Sequence, residues 1–258
     1  MKRVLSSFFL IINYKTLIIT ILAVISTYFC DKYNLIARFP DMLVGVAIVF
    51  PVVFSISSAY TRRETALQRL SDFKGHALAI YYAARDWTTT KEHDLPERAR
   101  QLVNALTRNM RDMFTRYHRH EWEKYEQEVY KLFSDLSQFS MELPKYGVQR
   151  SEMSRVSQYI SKMIIAFDNL KVIHAYRTPI TLRAYSKVFI YIFPIIYGPY
   201  FAATAHDYSH GLEYVMPVLY SFILVSLDNI QDHLEHPFDE VGEDDIRIDE
   251  QDMIGVMR

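Results

Sequence analysis

Two stretches bring histidine and carboxylate side chains within a turn of one another: His118, His120, Glu121 and Glu123, and Asp232, His233, Glu235 and His236. Imidazole and carboxylate together suit a transition metal. Neither stretch shows the paired Glu-x-x-His spacing of a di-iron helical bundle. A charged helix face turned to water accounts for both. Nucleophilic chemistry has no visible seat, since no Ser-His-Asp or Cys-His arrangement is apparent and the seven glycines form no phosphate-cradling loop. The single cysteine, Cys30, leaves no intrachain disulfide and no cysteine-based zinc site. Past Pro237-Phe238 the chain turns acidic: Asp239, Glu240, Glu243, Asp244, Asp245, Asp249, Glu250 and Asp252, with Arg247 opposing. Several carboxylates on a short loop are what a calcium ion requires, but the spacing is not that of an EF-hand loop. On this pattern alone a solvated acidic tail is the expectation. No cofactor is expected.

The elements that carry these residues are helical and partly apolar enough for a bilayer. The chain has 258 residues and a formal net charge of −1, without the basic face that nucleic acid demands. The charge is unevenly spread. From Phe8 to Cys30 the only charged residue is Lys15, too long a run for a signal peptide. A first span over Lys15 to Cys30, extended back by Phe8 to Ile12, and a second over Met42 to Tyr60 each approach the roughly 20 residues that a bilayer core needs. Tyr185 to Ala205, interrupted by Pro194, Gly198 and Pro199, and Tyr214 to Leu227 supply a second pair. The last of these continues as an amphipathic helix to His236.

Between the pairs the apolar spacing is that of helices. One is expected over Arg63 to Trp87, one from Pro96 to Phe114, and one from Trp122 to Met141, broken by Pro144 and Gly147. A fourth begins at Ser151 as N-cap and ends near Tyr176, before Thr178-Pro179. The layout is residues 1–60 as spans one and two, 61–181 as a helical block, 182–230 as spans three and four, and 231–258 as an acidic tail. Lys2, Arg3, Arg62, Arg63 and Arg69 cluster on one side, which puts both termini and the block in the cytoplasm of a multi-pass membrane protein.

The second span holds the most informative pattern. Val46, Phe50 and Phe54 follow at i, i+4 and i+8, on one helix face, with Pro51 among them. Such a stripe packs against lipid or another helix, or it lines an apolar pore constriction built from several subunits.

The chain resembles the bestrophin family of ion channels, especially its bacterial members. Arg177-Thr178-Pro179-Ile180 matches a Thr-Pro-Ile-Pro stretch that enters the family's third span. Glu235-His236-Pro237-Phe238-Asp239 followed by Asp244-Asp245-Ile246-Arg247-Ile248-Asp249 is similar to Glu-Asp-Pro-Phe-Gly and Asn-Asp-Leu-Pro-Leu-Asp. Tyr60-Thr61-Arg62-Arg63 echoes an aromatic-Asp-Arg-Trp-Trp run. The tryptophan pair is absent, Asp239 stands for a glycine and Arg247 for a proline. The resemblance implies an all-α, bestrophin-like membrane protein of four transmembrane helices plus a cytoplasmic helical bundle. It further implies a homopentamer in membrane lipid with one axial pore, whose neck is lined by Val46, Phe50 and Phe54. Small inorganic ions are its expected partners, with chloride and other anions foremost, and the bacterial inner membrane its expected place. Animal members hold calcium with acids after Pro-Phe-Gly, and Glu243, Asp244 and Asp245 stand where those acids would be; bacterial members generally lack that site, so the resemblance implies at most a weak calcium site. The alternative is a non-conducting membrane scaffold, or a membrane enzyme using the His and carboxylate clusters with a metal.

Overall fold

The computed structural model describes residues 13–38, 41–89, 94–115, 119–206, 212–240 and 245–249. All regular structure among them is helical. In chain order the helices are α1 (Tyr14–Lys32), α2 (Asp41–Asp86), α3 (Asp94–Thr115), α4 (Arg119–Glu142), α5 (Met153–Ala175), α6 (Ile180–Ile196), α7 (Gly198–His206) and α8 (Leu212–Glu235). Two short 3₁₀ turns, Leu143–Tyr146 and Arg150–Glu152, join α4 to α5.

The chain divides into two compact units. One comprises Met1–Thr61 with Arg177–Glu235, the other Arg62–Tyr176 with His236–Arg258.

In the first unit α1 packs on α6, α7 and α8. Its start is fixed by Asn13, whose Oδ1 accepts from the Lys15 and Thr16 backbone N–H groups at 2.9 and 3.2 Å. The same side chain donates through Nδ2 to Asn229 at 2.8 Å, tying the cap to α8. Farther along, Ser26 Oγ donates to the Ile195 carbonyl at 2.7 Å, which occupies an acceptor in the last turn of α6. The α6–α7 junction lies so close to α1 that a Cβ on Gly198 would come within 2.6 Å of Ser26 Oγ. Ile48 and Val52 of α2 meet Ile190, Leu224 and Val225 in an apolar core. The outer faces are apolar as well: Leu17, Ile21, Ile25 and Phe29 of α1 are all exposed. Burying such faces in hydrocarbon rather than water is the state that the hydrophobic effect favours. Among the described helices, Tyr14–Lys32 and Gly45–Asp86 are long and apolar enough to cross a bilayer by themselves. α6 has 17 residues, and the last two turns of α8 are ionic, so neither meets that measure alone.

The second unit is a bundle of the second half of α2 with α3, α4 and α5. Its core joins Phe73, Leu106, Met110, Phe133, Leu136 and Phe167, all buried. The chain returns after α8 to close this core. Phe238 stacks on Phe114 with centroids 5.0 Å apart, Ile246 and Ile248 are buried, and the Ile246 N–H donates to the Pro237 carbonyl at 2.7 Å. Outside, Arg111 grips Glu240 through two hydrogen bonds of 2.9 and 3.1 Å, which raises the guanidinium pKa.

Three sequence expectations need correction. Met42–Tyr60 and Arg63–Trp87 are not two helices but parts of one, α2, of 46 residues. No breaker stands between them, and helix propagation costs less than a new start. Ser151 does not cap α5. It lies in the 3₁₀ turn Arg150–Glu152, and α5 starts from Glu152 without a side-chain cap. The third span begins at Ile180, earlier than Tyr185, and is split from α7 at Tyr197. The extension Phe8 to Ile12 lies outside the described residues.

Candidate pore-lining surface

The face of α2 bearing Val46, Phe50 and Phe54 is bare. These residues are 46 %, 56 % and 60 % exposed, while Ile48, Val52 and Ser55 on the opposite face are buried. The Phe50 and Phe54 rings stack on each other at 6.0 Å, one turn apart, and form a continuous apolar surface. Pro51 sits inside the helix and deprives the Ala47 carbonyl of its donor. Its own carbonyl receives the Ser186 hydroxyl at 3.3 Å, so α6 supports α2 at the proline. The arrangement holds no charged group and no catalytic one. It offers an apolar surface that is open on one side and anchored on the other.

Behind this surface, Gly45, Ile48 and Val49 share a small cavity of about 100 Å³ with Phe193, Tyr197, Tyr200, Tyr220 and Leu224. A Cβ on Gly45 would meet no atom within 4 Å, so the absent side chain contributes to that space.

Of the acidic trio, Asp245 is half-buried beside Ile246 in the returning tail. Glu243 and Asp244 lie outside the described residues. So do the side chains of His118, His120 and Glu121, while Glu123 is exposed on α4. Among the described residues no group of three or more His, Cys, Asp or Glu is arranged to hold a metal ion.

The second His and carboxylate stretch does not form the solvated face that its sequence suggests. Glu235 is buried, and its Oε2 lies 2.8 Å from Arg183 Nη1. Lys187 Nζ reaches both oxygens of Asp232 at 3.0 and 3.1 Å and lies 3.8 Å from the buried Asp228. Tyr191 donates its hydroxyl to Asp228. Lys15 of α1 stands 3.7 Å from Asp232. Arg183, Lys187 and Tyr191, at four-residue steps on α6, thus meet Glu235, Asp232 and Asp228 on α8 rung by rung. The signal was in the sequence as two matched ladders inside apolar runs. It was missed because the acids were read alone and not against the bases 45 to 52 residues earlier.

No protein-family model matches the sequence, and no curated protein matches it. Solved structures do match. A bacterial Bestrophin homolog from Klebsiella pneumoniae superposes with a TM-score of 0.75 at 15 % identity, covering 95 % of this chain and 97 % of that one. A tryptophan-to-alanine variant of a Klebsiella pneumoniae homolog gives 0.79 at 14 % identity, over 94 % and 97 % of the two chains. A structure described as a membrane protein gives 0.76 at 15 % identity, over 95 % and 97 %. Agreement over nearly the whole of both chains is agreement in fold: this all-helical chain has the fold of the bacterial bestrophin homologs.

Proposed function

We propose that the chain is a bestrophin-like ion channel in which several copies, arranged as a homopentamer, surround one axial pore. The observation that carries this reading is the two-faced α2. One face is buried in its own subunit; the other presents Val46, Phe50 and Phe54, each about half exposed among the described residues. A single helix cannot enclose a path, whereas a closed ring of copies can. In such a ring the three residues form stacked apolar collars, and an ion must shed water or wait for the collar to wet. Small inorganic ions are the substrate class, and the family resemblance by itself favours chloride and other small anions. The neck contributes no Coulomb preference of its own.

The reading places the protein as a multi-pass component of the bacterial inner membrane, with α1, the first half of α2, α6 and α8 as spans. Both termini and residues 61–181 are cytoplasmic. Glu243, Asp244 and Asp245 hold calcium weakly at most. The competing reading, a non-conducting scaffold or a metal-dependent enzyme, receives no support from the ion-paired carboxylates of α8. Current recording of the purified protein in planar bilayers tests the proposal, with the molar mass in detergent as a second readout. Discrete currents and a mass of about five chains support it. A monomer with silent bilayers overturns it.

A further inference from the structure

The cavity beside Gly45 lies wholly within the first unit and draws its lining from α2, α6, α7 and α8. Part of that lining is the corner between α6 and α7. Helix α6 stops at Ile196 and α7 starts at Gly198, so Tyr197 sits at the break. Its ring lies against Phe193 and Tyr200, with centroids 4.3 and 4.6 Å away. The buried Phe201 touches both Tyr197 and Tyr220, at 5.6 and 5.4 Å, and so ties this corner to α8. Rings held by one another in this way make a preformed site. Ile48 and Leu224, both buried, add aliphatic surface. Val49 and Tyr220 belong to the lining and are also 56 % and 44 % exposed, so the cavity opens to the outer apolar face of the unit.

Two costs meet at this spot. Gly45 lies in a helix, where glycine is less stable than alanine, and a Cβ there would meet no atom within 4 Å. The unfilled space also deprives its lining of dispersion contacts. One side chain at position 45 would relieve both, so the opening has the character of a site rather than of a packing fault. Its chemistry follows from its lining. No charged side chain is present, and the only side-chain polar groups are tyrosine hydroxyls. A volume of about 100 Å³ has room for about three waters, but each water needs two to four polar partners. Apolar cavities stay dry, and one of about 150 Å³ admits benzene or xenon.

We infer that this cavity binds a small uncharged apolar molecule, between a xenon atom and a benzene ring in size, which enters it from the bilayer. The inference concerns binding alone and does not require ion conduction. Its test is xenon, applied under pressure to crystals of the full-length protein. The wild type is expected to show an anomalous peak in the cavity. Gly45→Leu, whose side chain takes up the space, is expected to lose the peak. Gly45→Ala adds a single methyl group, keeps the fold, and is expected to weaken it. A second measurement is the thermal midpoint in detergent. A molecule that binds the folded state alone raises it by mass action. Benzene is expected to raise the midpoint of the wild type relative to Gly45→Leu at equal concentration. Ordered water in the cavity under xenon, or the end of a detergent or lipid chain there, overturns the inference. So does a peak undiminished in both variants. An aromatic lining can also hold a cation, so a midpoint raised by tetramethylammonium and not by benzene overturns the assignment to an uncharged molecule.

Discussion

Glu235 shows how one buried carboxylate decides its surroundings. With Arg183 at 2.8 Å it is a paired charge; without Arg183 it keeps the Gln231 amide, which donates to its Oε1 at 3.3 Å, but loses that counter-charge. Removing one partner of such a pair typically costs about 3–5 kcal/mol, whereas replacing both by apolar groups costs far less. Arg183→Met is therefore expected to lower the thermal midpoint in detergent sharply, and Arg183→Met with Glu235→Leu to recover most of the loss. An equal or larger drop in the double variant would contradict the pairing. In the second unit, His76 stacks on Tyr159 at 6.1 Å. Burial lowers its pKa below the ordinary 6.5, and Lys162 adds to that, against a raising influence of Asp72. A histidine with a depressed folded pKa stabilises the fold above its unfolded value. That contribution is lost as pH falls below about 6.5 and through the folded pKa. Unfolding followed from neutral to mildly acidic pH should show this loss, and His76→Gln should flatten the curve. A curve unchanged by the substitution would exclude His76 as its source.

At the scale of the element, α2 does two jobs with two faces. Its inner face holds both units' cores, from Ile48 through Phe73 to Ile80. Its outer stripe leaves Phe50 and Phe54 half-exposed. Truncating a core phenylalanine costs about 3–5 kcal/mol, chiefly through the cavity left behind. A ring with one side open leaves less of a cavity. Phe50→Ala with Phe54→Ala is thus expected to widen the neck and raise conductance or open probability, with a smaller loss of stability than a core truncation. Current and thermal midpoint measured on the same protein separate this from helix packing. Unchanged current together with a large drop in stability would refute the neck assignment.

For the whole molecule, the distribution of basic residues sets the expected orientation. In a Cys30→Ser background, single cysteines at Tyr33 or Ser209 should react with a membrane-impermeant reagent applied outside intact cells. A cysteine at Gln149 should not. Labelling at Gln149 would reverse the assignment of the helical block to the cytoplasm. Oligomer formation belongs to this scale too, since the exposed apolar stripe of α2 requires either lipid or further copies of the chain as its surroundings.

Local pattern alone determined much of this protein. The 3.6-residue spacing of apolar side chains located α3, α4 and α5 within a few residues, because an amphipathic helix must turn its apolar stripe inward wherever it packs. Unbroken apolar runs marked α1 and the first half of α2, because length and polarity suffice to decide partition into a bilayer. The spacing of Val46, Phe50 and Phe54 placed them on one face, since side-chain direction along a helix is fixed by its pitch. The rest was tertiary. The continuity of α2 past Thr61 was hidden because the composition changes there while the backbone does not. The pairing of Arg183, Lys187 and Tyr191 with Glu235, Asp232 and Asp228 was hidden because partners on different helices leave no mark in a local window. Only packing of α6 against α8 brings the two ladders into register, and that register is what turns acids that look solvated into a partly buried ionic seam.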